Sequence, residues 1–237
     1  MISLDTSIAE LVLANRILAK EDVLDGFGHV SMRAPDDPNT YLLSRARAPE
    51  LVEAKDIIRF TLDSVPVEAT KERPYSERVL HGEIYKARPD VVAVCHHHAP
   101  TVLPFCISGT PLRPVMHLGS VIGDPVPMWD SRDEFGDTNL LVSKPEEGQS
   151  LARALGNSFV VLMRRHGATV AGRTLREVVF RCIYLAANAR VQSAAAQLGA
   201  YETLSAGEIA LAAEFNLQPH AVDRSWDRWV MRATSRG

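Results

Sequence analysis

The chain is 237 residues long, 46% hydrophobic, 23% charged and 6% aromatic, a composition that excludes a largely disordered chain or a fibrous repeat. Lys and Arg number 26 against 29 Asp and Glu, a formal net charge of −3, which offers nucleic acid no basic stripe. The apolar stretches fall far short of a membrane span.

The opening residues, MISLDTSIAE, lack the basic start and apolar core of a signal peptide, so a cytoplasmic protein is expected. Residues 5–19 predict an amphipathic helix: Ile8, Leu11, Leu13, Ile17 and Leu18 recur at helical spacing, and Asp5 or Thr6 can cap its start. Gly26 and Gly28 break the pattern. Strands are expected at 29–35, 41–45 and 56–62, with a turn at 36–39 and one or two helical turns from Pro49. Residues 76–88 predict a helix with Ser76 as N-cap. VVAVCHHH, 91–98, is apolar almost throughout, the mark of a central strand, and a helix is expected at 99–107. The Gly- and Pro-rich stretch 108–145 predicts short strands and loops. Beyond it come a helix at 149–155, a strand at 159–167, a long helix at 174–198 and two more at 205–215 and 219–233. Cys95, Cys106 and Cys182 are widely spaced in apolar segments and read as buried, reduced thiols. No linker or repeat divides the chain, so one α/β domain over 1–237 is expected, its helices covering a mixed or antiparallel sheet.

Chemistry concentrates at His96, His97 and His98, where the apolar strand ends. Alternate strand residues share a face, so His96 and His98 project together and His97 opposite. Two imidazoles at i and i+2 suit a divalent cation; the alternative is a solvated histidine run. His166, before the glycine turn at Gly167, is the natural third ligand if its strand neighbours the first, and otherwise a structural turn histidine. Glu77, in the first turn of the preceding helix, is a fourth ligand or an acid/base beside the metal, or else a simple complement to the helix dipole.

SERVLHGEIYKARPDVVAVCHHHAP resembles the core motif of the class II aldolase/adducin family: Ser76-Glu77, His81, Tyr85, Arg88-Pro89-Asp90, an apolar strand, then His96 and His98. RRHGATVAG and GFGHVSMR resemble two further family segments, and the similarity covers most of residues 5–200. The resemblance implies a three-layer α/β/α sandwich around a largely antiparallel sheet. It implies a divalent metal on His96, His98 and His166, with Glu77 as acid/base; Mn2+ or Zn2+ is favoured over Fe2+ or Co2+. It also implies a homotetramer or larger homo-oligomer with sites at subunit boundaries, where helix 174–198, Trp226 and Trp229 either cover an interface or pack within the chain.

Two departures bear on substrate. His29 stands where sugar-phosphate aldolases usually carry Asn, and Tyr75 precedes Ser76-Glu77 where they usually carry Ser. Both weaken a phosphate pocket and suit a flat aromatic substrate, with Tyr75 and Ser76 as contacts. Arg45 and Arg47 add cations able to clamp a carboxylate, or else serve surface solvation. GHVSMR, LLSRARAP and HHHAP resemble a branch of the family that includes decarboxylases of 3,4-dihydroxyphthalate and of a hydroxypyridine dicarboxylate. Aldol cleavage and aromatic decarboxylation both break a C–C bond and leave an electron pair beside an oxygen, so one Lewis acid serves both. The expectation is a metal-dependent decarboxylase of a hydroxylated aromatic or pyridine carboxylate, with Glu77 or His29 as proton donor and His97 a further candidate. Its partner is that small molecule, with no nucleic acid and no membrane. The alternatives are a sugar-phosphate aldolase, a metal-dependent oxygenase and a non-catalytic module of the adducin type.

Overall fold

The computed structural model describes residues 3–235; residues 1, 2, 236 and 237 of the expected domain lie outside it. Helix α1 (Leu4–Lys20) is capped by Ser3, whose hydroxyl accepts the Thr6 N–H, rather than by Asp5 or Thr6. Strands β1 (His29–Arg33), β2 (Thr40–Ser44) and β3 (Ile57–Thr61) follow. Between the last two lie single helical turns at Pro49–Leu51 and Ala54–Asp56. Helix α2 (Arg78–Ala87) starts later than expected: Glu77, not Ser76, holds the N-cap position, and its side chain does not cap.

Strand β4 (Ala93–His97) is the middle strand of a seven-stranded sheet ordered β3-β2-β1-β4-β7-β6-β5. After it come α3 (Leu103–Ser108), a helical turn at His117–Ile122, β5 (Met128–Trp129), α4 (Arg132–Phe135) and α5 (Pro145–Leu155). The stretch expected as one strand at 159–167 is a hairpin. Strand β6 (Val160–Met163) ends early, residues 164–166 turn, and β7 (Gly167–Gly172) returns to pair with β4. β7 escapes sequence reading because Ala168, Thr169 and Val170, set between two glycines, carry little strand pattern. Gly167 is obligatory there, since a Cβ would lie 2.3 Å from the carbonyl oxygen of His97. All pairings are antiparallel except β5 with β6.

Two apolar clusters sandwich the sheet. On one face Leu11, Ile17 and Leu18 of α1 pack with Phe180 and Leu185 of α6 (Leu175–Leu198) and with Trp226 and Trp229 of α8 (Pro219–Thr234). On the other, Leu80 and Ile84 of α2 pack with Leu151 and Leu155 of α5. The layered α/β/α arrangement and the mostly antiparallel sheet follow the expectation. Trp226 and Trp229 are both buried within the chain, Trp229 against Phe180 and Tyr184, so packing rather than an interface accounts for them. Helix α7 (Ala206–Asn216) lies between α6 and α8 in sequence and leaves Leu211 and Phe215 exposed. The three cysteines are buried and free. No helix among the described residues is long and apolar enough to cross a membrane.

Candidate metal centre

The centre forms where β4 runs out of the sheet. His96 and His98 leave the strand on the face of α2, and the β6–β7 turn delivers His166 to the same point. Their rings lie with centroids 4.8 to 5.1 Å apart. The Nε2 atoms of His96 and His98 are 3.0 Å apart, so at least one presents a lone pair to the other. Glu77 Oε2 stands 3.7 Å from Nε2 of both His96 and His166. Ligand atoms of all four residues fall within 4.8 Å of one another.

This donor set fits a divalent cation. Nitrogens about 2.0–2.1 Å from one tetrahedral ion sit roughly 3.3 Å from each other, close to the spacing present. Two of the three outward nitrogens are also held as a ligand set requires, while His166 Nδ1 is buried without a hydrogen-bond partner. His98 Nδ1 faces both oxygens of Asp25 at 3.1 and 3.2 Å, and His96 Nδ1 lies 3.4 Å from the Thr169 hydroxyl. Asp25 is itself fixed by N–H groups of Phe27 and Gly28. Burial drives the imidazoles toward the neutral, ligating form: His96 falls well below its ordinary range, and His166 falls to about 4.

Glu77 is buried where its own helix start cannot use it. Oε1 accepts the Val142 N–H at 2.9 Å, and Oε2 faces the imidazoles. Burial raises its pKa to about 7, against the Val142 bond that lowers it. A carboxyl poised near neutrality suits proton transfer in either direction.

His29 pairs directly with His96 across β1 and β4 and so shares its face. Its ring packs on Tyr75 at 4.5 Å and on His96 at 5.3 Å. Tyr75 is buried and its hydroxyl donates to the Arg47 carbonyl; Ser76 is exposed. His97 points to the opposite face, its Nδ1 accepting the Ala99 N–H, which keeps it from the cluster as a proton donor. Arg45 and Arg47 are not free cations: Asp56, buried, takes Arg45 Nε and Arg47 Nη1 at 2.6 Å each.

Sequence reasoning passed over Asp25 and Asp56. Asp25 signals itself only as an acid beside a Gly-x-Gly turn, and Asp56 only as an acid just before β3. Ser31, two residues from His29 on one strand face, and His81, one helical turn past Glu77, gave clearer signals.

Residues 9–193 match the class II aldolase and adducin N-terminal domain. "Decarboxylase tropJ" of Talaromyces stipitatus is 34% identical, over 93% of this chain and 91% of that protein. "3,4-dihydroxyphthalate decarboxylase" of Arthrobacter keyseri is 32% identical, over 73% of this chain and 72% of that one. The structure of L-fuculose 1-phosphate aldolase from Glaciozyma antarctica superposes with a TM-score of 0.81 at 22% identity, covering 98% of this chain and 92% of that one. With most of its length matched and the fold in common, the chain belongs to the class II aldolase and adducin family.

Proposed function

We propose that this chain is a metal-dependent decarboxylase of a hydroxylated aromatic or pyridine carboxylate. One observation carries the proposal: His96, His98, His166 and Glu77 converge beside a wall made by His29 and Tyr75. The relatives named as decarboxylases support it. The unit is the single domain 1–237, cytoplasmic, acting within a homotetramer or larger assembly.

A divalent cation (Mn2+ or Zn2+ first, Fe2+ or Co2+ next) would be held by His96, His98 and His166 and would supply a Lewis acid for the ring hydroxyl. Tyr75 gives a flat ring face for the substrate to lie against, with Ser76 at the exposed rim. Asp56 holds Arg45 and Arg47 by one nitrogen each, leaving other N–H groups of both guanidinia to fix a second carboxylate. As the C–C bond breaks, its electron pair passes to the ring and CO2 leaves. Glu77, half protonated near neutral pH, delivers the proton to the ring carbon from Oε2, with Val142 steadying Oε1.

The test is metal analysis coupled to CO2 release from a panel of hydroxy-aromatic mono- and diacids. Sugar-phosphate cleavage and oxygen uptake are followed in parallel. Metal-dependent CO2 release without oxygen uptake is expected. Aldol cleavage of a phosphorylated ketose, or oxygen uptake coupled to turnover, overturns the proposal in favour of an aldolase or an oxygenase. Purified protein that binds no metal leaves an adducin-type module.

A further inference from the structure

Behind His29 runs a buried chain of polar groups that the reaction above does not use. His29 Nδ1 meets His81 Nε2 at 2.7 Å, His81 Nδ1 meets the Ser31 hydroxyl at 2.7 Å, and Ser31 meets the Tyr85 hydroxyl at 2.7 Å. His29, Ser31, His81 and Tyr85 are all essentially inaccessible to solvent. Each of these groups can donate or accept, so distances alone leave the direction open.

The end of the chain fixes it. A buried phenolic O–H needs an acceptor, and Ser31 Oγ is the one that bonds Tyr85 among the described residues. The polar group lying over the Tyr85 ring is the Arg33 guanidinium, which only donates. Tyr85 therefore donates to Ser31, and the buried Ser31 O–H, which needs an acceptor of its own, has His81 Nδ1 as its other partner among the described residues and donates there. Burial takes the His81 pKa down to about 3, so the ring is neutral and its one proton sits on Nε2. That proton goes to His29 Nδ1, and the His29 proton is left on Nε2, the nitrogen not held by the chain.

We propose that Tyr85, Ser31 and His81 are positioning residues that lock His29 in its Nε2–H tautomer, making it a fixed hydrogen-bond donor to an oxygen of the bound substrate. The proposal rests on the decarboxylase reading for what His29 addresses, and on the chain alone for its direction. The donor suits the ring oxygen beside the breaking bond, where charge develops as the electron pair passes to the ring: aimed by a buried scaffold, it needs no reorganisation to meet that charge.

The experiment reads the tautomer in the Zn2+-loaded, 15N-labelled protein by long-range 1H–15N correlation of the imidazoles, with His29 identified by His29→Gln. Wild-type protein is expected to show His29 wholly as Nε2–H. Tyr85→Phe removes the group that sets the direction and should bring in the Nδ1–H form, with zinc content unchanged. Ser31→Ala cuts the same chain one link nearer and serves should Tyr85→Phe not fold. With the hydroxy-aromatic acid that wild type decarboxylates, the variant should lose about tenfold in kcat, short of the roughly 10²–10³-fold of removing such a donor outright. A wild-type His29 protonated on Nδ1, or a variant whose His29 stays wholly Nε2–H, overturns the lock. A shifted tautomer with unchanged kcat overturns the role. Because the tautomer is read without substrate, a locked Nε2–H in a protein that releases no CO2 counts against the decarboxylase reading and leaves the lock standing.

Discussion

At the scale of single residues the centre depends on one carboxyl held in an unusual state. Burial raises Glu77 from 4.5 to about 7, so between those values the unfolded chain gives up a proton that the native protein keeps. The metal-stripped protein must then lose stability as pH rises through that window. Glu77→Gln keeps an acceptor for Val142 without the charge. At pH 8 the stripped variant should therefore be more stable than wild type by on the order of 2–3 kcal/mol, with no gain at pH 4, as thermal melts would read. The same variant should retain metal and lose roughly 10²-fold or more in turnover; turnover at the wild-type rate would remove Glu77 from the acid/base role. His98→Ala takes away a proposed ligand that Asp25 orients, and should fold with a melting temperature that no longer responds to added Zn2+, where wild type should gain with concentration. Local pattern made part of this legible: strand alternation put His96 and His98 on one face, while Glu77 reads only as an acid at the start of the helix leading into that strand, its role implied by the family motif. Asp25 and Asp56 were not legible, because what they hold lies on other elements and only the folded chain brings the partners together.

At the scale of elements, two short connections set the geometry. The segment after β2 is pinned by Asp56, which accepts from Arg45, from Arg47 and from the Glu53 N–H. Burial alone would raise the Asp56 pKa, but these bonds outweigh it and hold it below the ordinary range. Its contribution to stability is thus present above that range and fades as pH falls through the lowered pKa. Asp56→Asn should cost about 1–3 kcal/mol at pH 7, less than a wholly buried pair because both arginines are partly exposed. The gap from wild type should narrow in acid. In kinetics the variant should raise KM for a dicarboxylate several-fold with kcat nearly intact, the pattern of a lost binding contact. The second connection is the β6–β7 turn. Gly167→Ala would drive a methyl into the His97 carbonyl, 2.3 Å away. It should melt well below wild type and bind metal poorly, because β7 must shift and His166 shifts with it. Here the sequence misled: the glycine was read as the end of a strand, whereas it opens the next one, and the strand beside β4 is β7 rather than β6.

At the scale of the whole molecule, the expected assembly calls for sedimentation at micromolar concentration, where a homotetramer or larger species is predicted and a monomer would contradict it. The layering of the fold was legible from the run of apolar elements, but the strand order was not, since β1 pairs with β4 across more than fifty residues of chain and no local pattern specifies such a partner. The polar chain behind His29 bears on how that pairing is chosen. A slip of β1 by one residue against β4 would turn His29 and Ser31 onto the face of α1 and α6, where the cluster is apolar. Neither His81 nor Tyr85 could follow, because both belong to α2 on the other side. Four buried polar groups would lose their partners at once, at a cost of about 1–3 kcal/mol each, a large part of the margin by which a domain folds at all. The groups that aim a histidine at substrate thereby also reject the misregistered sheet, and variants that cut the chain should refold with lower yield even where their native state is intact.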